Sequence, residues 1–126
     1  MNLGIFWYKE PMNEKETTKH GLYEYYYEDE YSGQVKWRGH YQDGLKHGLV
    51  EAFHWKNGYL LRKEHWKEGK EEGVWEQFDQ ETGKLTNRTD FIKGKQTSAE
   101  WFFENGQVEI RGEFKNNAQD GLWEYF

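Results

Sequence analysis

Short runs in which apolar and polar residues alternate cover most of this chain, and glycine-containing turns separate them. In the run VKWRGHY, for example, Val35, Trp37 and Tyr41 fall on one side of an extended strand, and Lys36 and Arg38 fall on the other. Alternation with this period is typical of strands that bury one face. The pattern therefore predicts an all-β fold made of short strands.

The strand-like runs come in pairs that recur about every 25 residues, a period typical of an array of small supersecondary units. The stretch GYLLRKEHWKEGKEEG, residues 58–73, shows the unit most fully. A glycine is followed by an aromatic residue, then by a second glycine, and a third glycine opens the next strand. Because every connection is short, consecutive strands are predicted to be antiparallel neighbours.

We therefore predict an elongated single-sheet antiparallel meander of tandem β-hairpin repeats. Residues 21–126 would form about four and a half repeats, since a last half repeat supplies a closing strand. Residues 1–20 would form an N-terminal strand and a polar loop that cap the array. The first strands of the copies are GLYEYYY from Gly21, GLVEAFHW from Gly48, GVWEQF from Gly73, SAEWFF from Ser98 and GLWEYF from Gly121. In the fourth copy, Ser98 stands where the others have glycine. The pairs Asn57-Gly58 and Asn105-Gly106 predict two-residue type I′ hairpin turns.

Stacking the copies predicts columns of equivalent residues across the sheet. The apolar columns are Val35, Leu60, Leu85 and Val108, and Tyr41, Trp66, Phe91 and Phe114. The basic column on the opposite face is Arg38, Lys63, Arg88 and Arg111, and the acidic column of the first strands is Glu24, Glu51, Glu76 and Glu124, with Glu100 as the nearest counterpart in the fourth copy. Cross-strand pairs of opposite charge contribute about 0.2–1 kcal/mol each. The charged columns therefore predict structural ion pairs rather than a ligand site.

The composition narrows the function. The chain has 126 residues, enough for one domain, and only 35% are hydrophobic, so its seven Trp, nine Tyr and eight Phe must supply most of the core. A net charge of −6 argues against nucleic acid and fits a basic protein partner better. The chain has no cysteine, no stretch long enough to span a membrane and no secretion signal at its start, so we expect a cytoplasmic protein.

The repeat unit resembles a known family. Its elements are G-[LV]-x-E-x-[YF], a turn with Asn-Gly, and [YWF]-x-x-G-K-x-x-G, and they resemble the MORN repeat, in particular the bacterial variant of the YwqK-like antitoxin proteins. The resemblance covers residues 21–126 and departs from the pattern in the fourth copy, at Ser98 and Asn117. It implies a curved single sheet that binds another protein, in bacteria a toxin or secreted effector that it neutralises. Eukaryotic relatives linked to phospholipids imply the alternative of a structural or membrane-surface scaffold.

A further alternative follows from the aromatic residues and the glycine turns, which are also typical of carbohydrate- or choline-binding modules. Such modules bind their ligands in cages or on platforms of Trp and Tyr. A continuous column of packed rings would argue against this function, and exposed pockets of rings would favour it.

The stretch YEYYYEDEY, which lies in the longest turn of the array, is the most site-like part of the chain. Tyrosine anchors interfaces, and acidic residues steer basic partners. The alternative is that its tyrosines form a strand packed on both faces and its acids a solvated turn. A second candidate is the aromatic pair beside the Asn57-Gly58 turn. The candidate partner-binding residues are Tyr25, Tyr27, Glu28, Asp29, Glu30, Trp55 and Tyr59.

Metal binding and catalysis receive no support from the sequence. His40 and His65 occupy equivalent positions in successive copies. With two strands per copy, equivalent residues lie two strand spacings apart, about 10 Å. This distance is too large for both to bind one metal ion. Acidic residues recur once per copy, whereas an active site needs a unique pair in different environments. No catalytic motif with a known mechanism is present. We therefore predict a non-enzyme without a cofactor or metal.

Overall fold

A computed structural model of the chain describes residues 19–28 and 33–126. These residues are all-β and form one open antiparallel sheet, which confirms the predicted meander of hairpins. The predicted first strand, in residues 1–10, lies outside the described residues. The ten strands are β1 Gly21–Tyr26, β2 Val35–Gln42, β3 Leu45–Phe53, β4 Leu60–Lys67, β5 Lys70–Glu71, β6 Gly73–Phe78, β7 Leu85–Ile92, β8 Lys95–Phe102, β9 Val108–Lys115 and β10 Ala118–Tyr125.

The order of strands in the sheet follows the chain, with each strand hydrogen-bonded to the next. The one apparent exception is the short strand β5, which pairs with β4 ahead of β6. Strands β5 and β6 together occupy the place of one strand, interrupted at Glu72, whose N–H donates to the carbonyl of His65 at 3.0 Å. In the part of the chain that the structure describes, no helix has the length and hydropathy that crossing a membrane requires.

The returns between copies are two-residue turns with an unusual backbone. The turn residues Asp43, Glu68, Lys93 and Asn116 have φ between 49° and 56°, and the residue after each also has positive φ. The ladder closes directly around them, as in the pairs Gln42↔Leu45 and Lys67↔Lys70. Positive φ at both central residues is what a type I′ turn requires. Asn117, which replaces a glycine here, keeps the conformation with φ 63°, since Asn tolerates the left-handed region better than most residues.

The two Asn-Gly sequences do not form the predicted two-residue type I′ turns, and that prediction is wrong. Pairing ends at the hydrogen bond from His54 N–H to the carbonyl of Tyr59, 2.8 Å, which leaves a longer loop over residues 55–58. Within that loop only Gly58 has positive φ. The Asn57 carboxamide instead accepts the N–H of Tyr59 at 2.9 Å and donates to the carbonyl of Gln80 in the next copy at 3.0 Å. The side chain thus competes successfully with the backbone turn.

The fourth copy is one residue shorter than the others before its first strand, which corrects the role assigned to Ser98. Glu100 lies directly opposite both Arg88 and Arg111, so it belongs fully to the acidic column. Three residues before it is Thr97, at the place of the repeat pattern's glycine, and Thr97 has an ordinary φ. At this point the pairing register between β7 and β8 shifts by one residue, between Asp90 and Phe91. In the pairing of β2 with β3, where the copy keeps its glycine, the register shifts by two residues.

Side-chain burial is uneven along the sheet. The buried apolar residues among those described are Tyr25, Tyr41, Val50, Ala52 and Ala99. Four of these belong to the first three strands, and Val50, at 1% exposure, is the most enclosed. The rings of Trp66, Phe91 and Phe114, which were predicted to be core, are half-buried. Among the described residues no second layer covers these rings, and the enclosed apolar side chains are concentrated in β1 to β3.

Candidate functional site

One face of the sheet carries three successive groups of packed rings, which together we call the aromatic face. Its rings are Tyr23, Tyr25, Trp37, Tyr41, Trp66, Trp75, Phe91, Trp101, Phe114 and Trp123. Neighbouring rings are in contact, with centroids 4.8 Å apart for Tyr25 and Trp37, 5.1 Å for Trp66 and Trp75, and 5.0 Å for Trp75 and Phe91. The third group lies in the last copies, where Phe114 and Trp123 meet edge to face at 5.2 Å. Offset and edge contacts of this kind stabilise aromatic pairs beyond their buried area.

Lys19 lies on the N-terminal end of the aromatic face, enclosed by three tyrosine rings. Its ammonium nitrogen is 4.7 Å from the centroid of Tyr41, 5.0 Å from Tyr23 and 5.5 Å from Tyr25, and it donates to the Tyr25 hydroxyl at 2.8 Å. Only 4% of the residue is exposed. Burial lowers the pKa of Lys19 to about 8, because the charged form loses its hydration. The rings offset part of that loss by cation–π attraction.

Lys46 occupies the equivalent position in the next copy. Its ammonium nitrogen lies 4.7 Å from the centroid of Trp66 and 5.4 Å from that of Trp37. Burial lowers the pKa of Lys46, and the nearby carboxylates of Glu64 and Glu71 oppose that shift. Glu64 is itself buried and accepts hydrogen bonds from Trp66 Nε1 at 3.0 Å and Arg62 Nε at 2.9 Å. Charges on this part of the face are therefore partnered.

Sequence reasoning missed both lysines on the aromatic face. The signal that could have revealed them is the tripeptide Lys-His-Gly, which occurs at Lys19-His20-Gly21 and again at Lys46-His47-Gly48. Each lysine comes two residues before the glycine of its copy. The equivalent residues of the later copies are Glu71, Gln96 and Gln119, as the pairs Trp66↔Glu71, Phe91↔Gln96 and Phe114↔Gln119 show. The lysine is thus specific to the first two copies.

The opposite face carries a row of charges in direct register, which we call the charged face. Successive cross-strand partners are Glu24, Arg38, Glu51, Lys63, Glu76, Arg88, Glu100, Arg111 and Glu124. Acid and base alternate without interruption, and the closest pairs are Arg111–Glu124 at 2.8 Å and Arg38–Glu51 at 3.0 Å. The register confirms the predicted alternation of acid and base, and the three arginines of the row form the cross-strand ion pairs. Because the groups are partly exposed, each pair contributes only about 0–1 kcal/mol.

The arginines of the charged face also stack on phenylalanines. The guanidinium carbons of Arg38 and Arg88 lie 5.1 Å and 5.4 Å from the centroids of Phe53 and Phe102. In the ladder, these phenylalanines lie opposite residues of the predicted aliphatic column, Phe53 opposite Leu60 and Phe102 opposite Val108. The pairing register shifts by one residue just before each of these pairs. Each phenylalanine comes two residues after an acid of the charged row, Glu51 or Glu100, so ordinary alternation along its strand places it on the charged face. An open groove of about 590 Å³ follows the C-terminal part of this face, but Arg88, Glu100, Arg111 and Glu124 within it bind one another.

The tyrosine-rich candidate site is only partly described, since Asp29 and Glu30 lie outside the described residues. Tyr25 is 5% exposed and stacks on Trp37, which matches the alternative interpretation of a packed strand. Tyr27 is half-buried, and its hydroxyl donates to the carbonyl of Phe53 at 2.7 Å. Burial raises the pKa of that hydroxyl. Glu28 is half-buried.

Trp55 and Tyr59, the second candidate pair, are among the exposed aromatic residues. They are 40% and 42% exposed and flank the loop between β3 and β4. Trp55 stacks on His54 with a centroid distance of 5.4 Å. The Tyr59 ring lies against Gly83 of the next copy, where an added Cβ would come within 3.3 Å of it. Both rings are therefore held in place by neighbours while keeping one exposed surface.

The histidines hold the backbone of neighbouring strands and turns. Nδ1 of His20 and of His47 accepts the turn N–H of Asp43 and of Glu68, at 3.4 Å and 3.2 Å. In each turn the following glycine N–H also bonds back to the preceding copy, as Gly44 does to the carbonyl of Lys19 at 2.9 Å. Among the described residues, no three His, Asp or Glu side chains are grouped as metal ligands would be. The histidines thus tie successive copies together.

Comparison with known proteins assigns no family. No protein-family model matches the chain, and no curated protein matches its sequence. Among solved structures, the chain is similar to the one described as "Crystal Structure of TarM", with 19% identity and a TM-score of 0.47. The match covers 93% of this chain and 24% of that one, so the chain spans about a quarter of its length. A likeness this distant assigns no function.

Proposed function

We propose that this chain is a protein-binding repeat module, and that it acts as a bacterial antitoxin or immunity protein that neutralises a toxin by masking its surface. The observation that carries the binding role is the aromatic face from Trp66 to Trp123, which no second layer of described residues covers. Its rings remain half-buried although they touch one another. The antitoxin role rests on the resemblance of the repeat unit to the YwqK-like variant of the MORN repeat.

The two faces of the sheet differ in what they offer a partner. On the charged face, most of the charge is paired within the sheet, as Arg88 is with Glu76 and Glu100. A partner would have to break those pairs or leave them unchanged. The aromatic face offers large rigid rings, which supply most of the binding energy at protein interfaces. Because the rings already contact one another within each group, little side-chain entropy is lost when a partner covers them.

A site-specific photo-crosslinking experiment tests this proposal. Thr89 lies directly opposite Trp75 in the ladder and therefore shares its face. A p-benzoyl-phenylalanine at Thr89, in protein expressed in the native host, is expected to crosslink to the partner. The matched control places the same group at Lys63, which lies between Glu51 and Glu76 on the charged face. Crosslinks from Lys63 alone would move the interface to the other face, and crosslinks from neither would overturn the proposal.

The antitoxin role needs a separate functional test. If the crosslinked partner is a toxin, its expression is expected to arrest growth, and co-expression of this chain should restore it. A partner whose expression leaves growth unchanged would contradict the antitoxin role and leave the binding role standing. Neutralising Glu28, Asp29 and Glu30 together is expected to slow association and to weaken its salt dependence, since exposed charges steer a basic partner over about 8–10 Å. An unchanged rate would remove this turn from the interface.

A further inference from the structure

The first two copies show what kind of group the aromatic face accepts. The ammonium of Lys19 lies 4.7 Å from the ring of Tyr41, and that of Lys46 lies 4.7 Å from the ring of Trp66. Tyr41 and Trp66 are equivalent residues of successive copies, so the contact repeats with the repeat. A lysine suits such a place because its aliphatic stem can cover apolar surface while its ammonium meets the ring face.

The third copy has the rings of such a site without its lysine. Its equivalent ring is Phe91, which lies 5.0 Å from Trp75 at an interplanar angle of 47°. The residue equivalent to Lys46 is Glu71. Among the described residues, no cationic group lies over either ring, whereas Trp66 next to them carries Lys46. The rings of Trp75 and Phe91 are half-buried rather than enclosed.

The geometry of these rings is fixed before any partner binds. The indole Nε1 of Trp75 donates to the carbonyl of His65 at 2.8 Å, which holds the plane of the ring. Phe91 lies directly opposite Gly73 in the ladder, and its ring packs against that of Trp75 at a centroid distance of 5.0 Å. Glu71 lies directly opposite Trp66 and two residues before Gly73, and its carboxylate is close enough to Lys46 to act on the pKa of that lysine. Two fixed rings and a neighbouring carboxylate suit an alkylammonium group.

The choice between the two cationic side chains follows from which of them lies over the rings of the aromatic face. The arginines Arg38, Arg88 and Arg111 stack on the phenylalanines of the charged face. The cations over the rings of the aromatic face are lysines, in Lys19 and Lys46. The rings of Trp75 and Phe91 already touch, so a cation must lie over their exposed surface, as Lys46 lies over Trp66. A compact ammonium on a flexible stem fits over such tilted rings, whereas the planar guanidinium needs a broad ring face to stack on.

We propose that Trp75, Phe91 and Glu71 form a subsite for a lysine side chain of the partner protein. The proposal rests on the proposed function, because it names what the partner inserts into the aromatic face. In the first two copies the chain fills the equivalent place with its own lysine. In the third copy the partner supplies the lysine, and Glu71 supplies a negative charge next to it. The net charge of −6 favours a basic partner in the same way.

The subsite can be tested without the partner. The probe is an acetylated and amidated tetralysine peptide, titrated into the ¹⁵N-labelled protein while the indole N–H signals are followed by NMR. The Trp75 indole signal is expected to shift in a saturable way, and that of Trp123 to stay in place. Glu71→Gln keeps the rings but removes the charge, and is expected to weaken binding of the peptide up to about fivefold, the upper end for a single partly exposed charge contact.

The decisive variant is Glu71→Lys, which gives the third copy the residue of the first two. The new lysine is expected to lie over Phe91 and Trp75, to shift the Trp75 signal in the free protein, and to abolish saturable binding of the peptide. Glu81→Lys changes the net charge equally at an exposed turn residue, and is expected to leave binding within about twofold of the parent because surface charges act weakly. Equal losses in the two variants would show nonspecific attraction and overturn the subsite.

Two further outcomes are informative. If tetramethylammonium chloride shifts the Trp75 signal at a lower concentration than the lysine peptide does, the site is one for quaternary ammonium groups, and the assignment to lysine is overturned. An argininyl peptide that binds more tightly than the lysyl peptide would do the same. The proposed function can fail separately, since a Thr89 crosslink to no partner would leave a positive peptide titration intact. A Glu71→Lys variant that binds the crosslinked partner with unchanged affinity would overturn the subsite alone.

Discussion

Substitution of Gly39 by alanine tests where the core of this sheet lies. Gly39 is buried in β2, opposite Tyr23 and Val50. A Cβ at this position would come 2.9 Å from Val50 Cγ2, closer than real Cβ atoms approach, and 3.0 Å from Trp37 Cη2, tighter than nearly all real contacts. Neither neighbour can move easily, because Val50 is 1% exposed and Trp37 stacks on Tyr25 at 4.8 Å.

The expected loss of stability is the difference between two opposing effects. Overpacking of a closed core costs about 1–3 kcal/mol. Replacing glycine by alanine at an ordinary backbone conformation stabilises by about 0.4–1 kcal/mol, because the unfolded chain loses freedom. The steric clash outweighs the entropic gain, so Gly39→Ala is expected to lower the free energy of unfolding by about 1–2 kcal/mol, and Tm by about 4–10 °C for a chain of this size.

Urea unfolding followed by tryptophan fluorescence measures this change. The matched comparison measures the loss of stability caused by Gly39→Ala in the parent protein and in a Val50→Ala background. Removing Cγ2 of Val50 removes the closest contact, so the second substitution should cost much less in that background than in the parent. Gly39→Ala at least as stable as the parent would refute the packing of the N-terminal core. An equal loss of stability in both backgrounds would show that the added Cβ does not clash with Val50.

Three further predictions concern the shape, the half-buried rings and the lysine in the core. Small-angle scattering should give a radius of gyration clearly above the compact-domain value of about 14 Å, since each copy contacts only its neighbours; a value near 14 Å would contradict an extended array. Trp66→Ala should cost about 3 kcal/mol in chemical unfolding, at the lower end for a large ring because the ring is half-buried, and an unchanged midpoint would be inconsistent with its contacts to Lys46 and Trp75. The pKa of Lys19 is lowered to about 8 in the folded state against the ordinary value of 10.5, so the unfolded state binds more protons between these values and stability should rise with pH through that window. The rise should be smaller in Lys19→Met, measured as urea midpoints from about pH 7.5 to 9.5, and an identical rise in the variant would show that other groups cause it.

Parts of this structure follow directly from the sequence, because they depend on local rules. Side chains alternate along a strand, and short connections place neighbours side by side. The repeat therefore predicted the meander and the charged row from Glu24 to Glu124, which the register confirms. The glycine pattern also located the turns. Local sequence did not give their types, because the number of residues left in a turn depends on where cross-strand pairing stops, as at His54 and Tyr59.

Other parts depend on the tertiary structure, because they join residues from different copies. The register that makes Glu100 part of the acidic column comes from its two neighbouring strands, and sequence spacing had pointed to Ser98 as the start of that copy. The enclosure of Tyr25 and the half-exposure of Trp66 depend on what lies above the sheet, which no alternation pattern records. The lysines over the aromatic face depend on rings from the adjacent strands. Sequence alone thus determined the order and pairing of strands, and packing between copies decided the core and the candidate site.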